Sequence, residues 1–529
     1  MSEHPFGERP QPVTPPARLA AIVALVRRRD PSRADSELDL FVVRRARELK
    51  MFGGFVALIG GGLDRADGDP SDARALLRCA ARELFEEAGV LAATGAASIP
   101  AEERDRVRGV LCQRGADSAG FQRFLDAHGV AIDESRFLHA GRWVTPRFVP
   151  GRFDAHFFVV EATTQDDPRV WPGELTSGEW IDPAVLVAQW EKGDVLLHPP
   201  QSHLARSVAA WNAQPASVRG GARAETFAAL CRAIGTGGSR DDEQVAIRID
   251  FQRGFVMFPV VTPTLPPAMH TNCYVIGTGD VIVVDPGSPY ADEQARLHEM
   301  LDEMRREGKT PRAVVLTHHH EDHIGGALAL ARHLGVPIRA HARTLDRLPK
   351  DDSVGREVLE DGAEIVLDGP LPIRLRAVFT PGHARGHLCF HDARSGALVA
   401  GDMVSTLSTI ILDPPEGDLG HYLGSLDRLR ALAPRTIYPA HGLPTQHAME
   451  KLDEYVTHRR ARAEALATAL ASGPRDLMDL VTEVYADVPP IVHPLAARSA
   501  LASLEWLAAQ GRVKAVGSAA DPGERWAVA

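Results

Sequence analysis

Seven consecutive residues, Thr317-His318-His319-His320-Glu321-Asp322-His323, narrow what this chain can fold into more than any other stretch. They follow the apolar run Ala313–Leu316, which reads as a buried strand, so the polar cluster lies on a loop at a strand's carboxyl end. His318 and His320 stand two residues apart and can converge on one ion. Asp322 and His323 open the next helix and can face a second. Imidazole nitrogen and carboxylate oxygen are donors that zinc accepts. Gly325 and Gly326 just beyond allow the backbone to pass close to such a cluster. A histidine run also fits a mere surface tract, but residues of the same kind recur at strand ends downstream. Thr380-Pro381-Gly382-His383 follows a strand ending at Phe379, Gly401-Asp402 follows Leu398–Ala400, and Tyr438-Pro439-Ala440-His441-Gly442 follows Thr436-Ile437.

The chain around this cluster has 529 residues, too many for one hydrophobic core; about three or four domains are expected. With 44% hydrophobic and 24% charged residues it reads as a soluble globular protein. Its net charge of -11 gives the whole molecule no electrostatic footprint for nucleic acid, which leaves a local basic surface open. The five cysteines (Cys79, Cys112, Cys231, Cys273 and Cys389) are scattered, so neither a disulfide framework nor a thiolate metal site is expected. Leu19–Val26 follows a Pro-rich start and runs straight into Arg27-Arg28-Arg29, which suits a buried first strand better than an export signal. No stretch approaches the ~20 apolar residues of a membrane span. A cytoplasmic location without a membrane partner is the expectation.

Composition suggests the boundaries. Residues 1–16 are polar and Pro-rich, a flexible tail, and 17–235 form a first domain with a helical pattern over Asp72–Ala88. Gly235–Gln244 is rich in glycine and charge, and 236–250 is read as a linker. Residues 251–450 alternate short β-branched runs with helices, an α/β pattern. Residues 451–529 turn to helices (Tyr455–Ala471, Leu477–Tyr485, Leu495–Gln510) closed by a strand pair near Val513–Val516 and Arg525–Val528, which suggests a winged helix.

The ordered set HxHxDH, TPGH, GD and AHG resembles the metallo-β-lactamase superfamily. That resemblance implies a four-layer αβ/βα sandwich with two metal ions, zinc being favoured by the donors. It implies that His318, His320 and His383 hold one ion, that Asp322, His323 and His441 hold the other, and that Asp402 bridges them. Asp285, in Val284-Asp285-Pro286-Gly287, would support the ligands from behind, and His387 would lie near the mouth in a structural, substrate-side or catalytic role. Two cations about 3.5–4 Å apart lower the pKa of a shared water towards ~7, and Asp322 beside it would orient that water or carry its proton. Asp402 at the bridging position points to the glyoxalase II and β-lactamase-like-protein branch. His458-Arg459-Arg460 and the run Leu501–Arg512 resemble β-lactamase-like endoribonucleases, which makes single-stranded RNA an alternative partner. A solvated helix face is the competing reading of that basic stretch.

In the first domain, Arg82-Glu83-Leu84-Phe85-Glu86-Glu87-Ala88-Gly89-Val90 reads REUxEExGU, and Glu83, Glu86 and Glu87 share one helix face. It resembles the second half of a Nudix box, with a Gly61-Gly62 turn upstream. The resemblance implies an α/β/α sandwich in which these glutamates bind Mg or Mn, with Glu83 as ligand or base. The full pattern asks for Gly, five residues, Glu, seven residues, then Arg-Glu; Arg74 stands where that glutamate is expected. Trp143-Val144-Thr145-Pro146, Arg152–Phe158, Glu174 and Glu179-Trp180 resemble the coenzyme A diphosphatase branch. Together these features lead to a multidomain hydrolase acting on a small acyl-CoA-like ester or thioester, with RNA cleavage and a nucleotide-sensing first domain as the competing readings.

Overall fold

This computed structural model describes residues 15–49, 51–113, 115–146, 151–220, 223–235, 248–516 and 525–529. Most of the expected tail (1–14) and of the expected linker (236–247) lies outside the described residues. Ile249 and Asp250, at the linker's end, already belong to a strand, Ile249–Gln252. The chain divides into two compact units, within Pro12–Val256 and Met257–Ala529.

In the first unit the strand Arg18–Arg28 is the organising element. It runs antiparallel to Leu38–Arg45 and Ile59–Gly62 and parallel to Phe153–Glu161. Because side chains alternate along a strand, Ala21, Val23 and Leu25 enter one core while Ala24 and Val26 enter another on the opposite face. The helix Ala73–Ala88 covers the first core. Residues of the helices Pro183–Lys192, Pro199–Asn212 and Arg223–Gly235 fill the second. Three layers result, helices on both faces of a mixed sheet. Asp72 caps the first helix by accepting from Arg74 N–H, and Gly89 ends it at φ 73°, a left-handed conformation that glycine adopts without steric cost.

The second unit has two facing sheets. One contains, in order, Phe255–Val261, His270–Ile276, Asp280–Val284, Thr310–Val315, Ile338–Ala340 and Arg356–Val358. The other runs Glu364–Leu367, Ile373–Phe379, Leu388–Asp392, Ala397–Gly401 and Thr436–Pro439. Helices Ala291–Arg306 and Ala327–Leu334 flank the first sheet, and Leu419–Ala431 and Ala448–Ala469 the second. The sheets are tied where the site lies. The Tyr274 hydroxyl donates to Pro439 O at 2.7 Å, and Asn272 Nδ2 donates to Pro439 O at 2.9 Å and Gly442 O at 2.7 Å.

The helices Ala448–Ala469, Leu477–Val484 and His493–Ala509 carry a three-stranded sheet of Arg475–Asp476, Arg525–Val528 and Val513–Ala515. This is the winged-helix arrangement. It does not stand apart, because Leu480, Leu504, Leu507 and Trp526 share one core with Val378, Leu398 and Ala400 of the second sheet. The border expected at residues 450/451 falls inside the continuous helix Ala448–Ala469. No helix among the described residues is long and apolar enough to cross a membrane.

Asn272 is buried, so removing its amide takes the side-chain donor from Gly442 O and leaves Pro439 O to the Tyr274 hydroxyl alone. Asn272→Ala is expected to destabilise the second unit by about 1–3 kcal/mol, read as a lower urea midpoint at an unchanged slope.

Candidate metal centre

Five segments at the carboxyl ends of strands converge at one rim of the second unit. Asp285 follows Asp280–Val284, the histidine run follows Thr310–Val315, and His383 follows Ile373–Phe379. Asp402 follows Ala397–Gly401 and His441 follows Thr436–Pro439. Asp322 and His323 lie on the short helix Glu321–Ile324. The loops cross closely: a Cβ on Gly287 would sit 1.8 Å from Asp322 O, so only glycine fits there.

Three ligand-type groups form: His318, His320 and His383; His318, His323 and Asp402; and Asp322, His323 and His441. Asp402 joins them. Its Oδ2 lies 3.5 Å from His383 Nε2, while Oδ1 lies 3.5 Å from His323 Nε2 and 3.4 Å from His441 Nε2. Asp322 Oδ2 is 3.4 Å from His441 Nε2.

Hydrogen bonds behind the rings fix which nitrogen each presents. Asp285 accepts from Thr317 N–H at 2.8 Å and from Thr317 Oγ1 at 2.6 Å, and its Oδ2 faces His323 Nδ1 at 2.8 Å. Thr317 Oγ1, having donated to Asp285, accepts from His318 Nδ1 at 3.0 Å. His383 Nδ1 donates to Ile411 O at 2.9 Å and His441 Nδ1 to His270 O at 3.0 Å. All four rings therefore turn Nε2 inward. His320 points Nδ1 instead, 3.0 Å from His318 Nε2 and 2.9 Å from His383 Nε2.

These contacts test whether a metal fits. His318 and His383 aim lone pairs at the same ring atom of His320, and one proton there cannot serve both, whereas a cation among the three serves all. Nearby, His323 Nε2 and Asp402 Oδ1 are buried without a hydrogen-bond partner. The donor set fits divalent cations.

The electrostatics of the metal-free chain agree. Burial, and then the neighbouring imidazoles, push His318 well below its ordinary range and His383 down to about 3. Burial opposes charge at His441 too, but Asp402 and Asp322 outweigh it and raise that ring to about 10. His323 is held high by Asp322, Asp402 and Asp285 against the same burial. Burial likewise works against Asp402, yet His441 and His323 keep its carboxyl well below the usual range.

His387 sits deeper than the mouth position read from the sequence, in a supporting place behind the ligands. It is fully buried rather than near the mouth. Its Nε2 accepts from Asp402 N–H at 3.1 Å and its Nδ1 faces Thr380 Oγ1 at 2.9 Å, so it holds the backbone of Asp402 from behind. Gly401, at φ 48°, leaves room for this ring: a Cβ there would lie 2.6 Å from His387 Nε2.

In the first unit, Glu83 and Glu86 flank Arg82, with Glu87 beside Gly60. Arg82 donates to Glu83 at 2.8 Å and Glu86 at 3.1 Å, and Gly60 N–H donates to Glu87 at 2.8 Å. Arg74 is exposed and pairs with Glu134 at 3.5 Å, so it does not intrude on the glutamates. The acid that braces Arg82 is buried Asp67, which accepts from Nε at 2.9 Å and Nη2 at 2.8 Å. Asp67 is not among the candidates read from the sequence, although a signal exists. Five residues separate it from Gly61, as the first half of the motif asks, and the excess length falls between it and Arg82.

The profile of the Metallo-beta-lactamase superfamily matches residues 266–441, and that of the Beta-lactamase associated winged helix domain matches 477–526. The lactamase-like protein vrtG of Penicillium aethiopicum is 33% identical over 260 residues, 47% of this chain and 79% of its own length. The beta-lactamase-like protein 2 homolog of Caenorhabditis elegans is 30% identical over 251 residues, 46% of this chain and 80% of its own. A metallo-beta-lactamase family protein of Thermus thermophilus is 26% identical at TM-score 0.43, over 52% of this chain and 99% of its own. A NUDIX hydrolase from Alicyclobacillus acidocaldarius is 27% identical at TM-score 0.33, over 37% and 92%. The class that the superfamily profile and the two curated relatives define is the metallo-hydrolases of the metallo-β-lactamase fold. Through its second unit the chain belongs to the metallo-β-lactamase superfamily and is an enzyme.

Burial, opposed by Arg82, raises Glu86 from 4.5 to about 7, and burial with Glu83 raises Glu87 well above its ordinary value. A carboxyl whose folded pKa is raised stabilises the fold below its unfolded pKa, and that stability is lost as pH rises through the folded value. The metal-free first unit is therefore expected to lose thermal stability between about pH 4.5 and 7, and Mn2+ added at pH 8 is expected to restore part of it. Scanning calorimetry of the full chain reads both. A first-unit midpoint that ignores pH and Mn2+ alike contradicts the assignment.

Proposed function

We propose that the second unit is a dinuclear metal-dependent hydrolase acting on an ester or thioester of acyl-CoA type. The observation that carries the dinuclear reading is Asp402, whose Oδ2 faces His383 at 3.5 Å while its Oδ1 faces His323 and His441 at 3.5 and 3.4 Å. His318, His320 and His383 would hold one ion and Asp322, His323 and His441 the other, with Asp402 between them and zinc favoured by the donors. When bound, the pair supplies a water of lowered pKa and polarises the oxygen of the bond under attack. Asp322, beside that water, would orient it or carry its proton to the leaving group. Asp285, through Thr317 and His323, and His387, through the backbone of Asp402, keep the ligands in place.

The acyl-CoA class is supported by what else the chain contains. In the first unit, Glu83, Glu86 and Glu87 would hold Mg or Mn against a diphosphate, with Glu83 as the base, in the manner of a Nudix hydrolase. An acyl-CoA offers a thioester and a diphosphate in one molecule. An RNA substrate has less support: Arg459, central to the basic stretch, is 5% exposed, and the chain carries a net charge of -11.

A screen of acyl-CoA thioesters, nucleoside diphosphate conjugates and single-stranded RNA, run with wild type, His320→Ala and Glu87→Gln, tests this. Thioester hydrolysis is expected to fall at least about 100-fold in His320→Ala and to survive in Glu87→Gln, since removing a metal ligand removes the ion's contribution to the barrier. Diphosphate cleavage should show the reverse. Metal-dependent RNA cleavage lost in His320→Ala, with thioesters untouched, would replace the acyl-CoA reading. For the bridging role, Asp402→Ala is expected to bind fewer ions; full metal content with activity lost contradicts it.

A further inference from the structure

His383 takes its orientation from a segment that is neither helix nor strand. The residues that follow Asp402 leave the second sheet as a stretch without helix or strand, residues 402–418. Within it Ile411 O fixes His383 Nδ1 at 2.9 Å. The C-terminal helices grip the residues on either side of Ile411. Arg459, on Ala448–Ala469, donates through Nη2 to Ile410 O. Ser499 Oγ, on His493–Ala509, accepts from Leu412 N–H at 3.1 Å. Further along, Arg498 pairs with Asp413 at 2.8 Å, while the Tyr455 hydroxyl accepts from Ser405 N–H at 2.9 Å and lies 2.8 Å from Ser408 O.

Burying a guanidinium is costly unless its charge and protons are used. Arg459 is buried and packs 5.4 Å from the ring centre of Tyr422; Nη2 is used on Ile410 O, while Nε is buried without a hydrogen-bond partner. It is neither an RNA contact nor part of a solvated face, the two readings its sequence context offered. The other three Nδ1 contacts of the cluster differ. His318 and His323 are fixed by Thr317 and Asp285, and His441 by His270 O, all within the two sheets and the loops that follow their strands.

We propose that the C-terminal winged-helix module is a positioning element of the metal centre. Arg459 and Ser499 clamp Ile410 and Leu412, and thereby set the ring of His383 and the affinity of the one ion it shares with His318 and His320. The ion at Asp322, His323 and His441 does not depend on this clamp. The inference rests on the reading of His383 as a ligand.

The test is a Zn2+ titration of the metal-stripped full chain against a chromophoric chelator. Wild type is expected to show two binding steps. Arg459→Met is expected to weaken one step by roughly 10–100-fold, the usual cost of losing support behind a ligand, and to leave the other within a few-fold. His383→Ala should abolish that same step. Ser499→Ala, which removes one hydroxyl and threatens the fold least, should weaken it by a smaller factor, and Arg459→Lys should recover part of the loss. Arg512→Ala, which breaks a surface pair with Glu464 in the same module, should move neither step. Fewer than two steps in wild type overturns the dinuclear reading itself. Two steps in wild type, with both unchanged or both equally weakened in Arg459→Met and Ser499→Ala, overturns the clamp alone.

Discussion

The second unit is organised around the Asp402 carboxylate. Seven polar groups meet in a space from which water is largely excluded, and five of them are imidazoles that repel one another when protonated. A carboxylate aimed both ways makes that crowd tolerable, because it compensates positive charge on His323 and His441 at one oxygen and faces His383 with the other. Everything around it serves to keep it there. His387 holds its backbone, Gly401 makes room for that ring, and Asp285 disciplines His323 through Nδ1. The two sheets must meet at the ends of their strands for the donors to converge, and Asn272 and Tyr274 stitch them at that place.

The first unit handles the opposite crowding. Three glutamates on one helix face repel one another, and one buried cation, Arg82, stands between Glu83 and Glu86. Arg82 is itself held by Asp67, so its single charge cannot balance all three glutamates as well. The second unit converges imidazole lone pairs on one point, and the first gathers more carboxylates than its buried cation balances.

Much of the metal centre was legible because its chemistry is local. HxHxDH, TPGH, GD and AHG each sit just after a strand, and a strand end followed by a metal-type residue can be read without knowing the fold. What sequence concealed depends on contacts between distant segments. His387 looks like a mouth residue beside His383, yet the strand Leu388–Asp392 draws it inward beneath Asp402. Arg459 looks basic and exposed between His458 and Arg460, but the helix turns it into the core. Arg74 holds the position that spacing assigns to an acid, while Asp67 meets Arg82 in space across a longer connection. Strands such as Leu175–Ile181, with an exposed polar face, and Phe255–Val261, buried on both sides, carry no clean alternation for a sequence pattern to catch.

The most direct measurement is anomalous diffraction at the zinc edge from crystals of the full chain grown with Zn2+. The account predicts two peaks about 3.5–4 Å apart on either side of the Asp402 carboxylate, one against His318, His320 and His383 and the other against Asp322, His323 and His441. A single peak, or none within reach of Asp402, contradicts it.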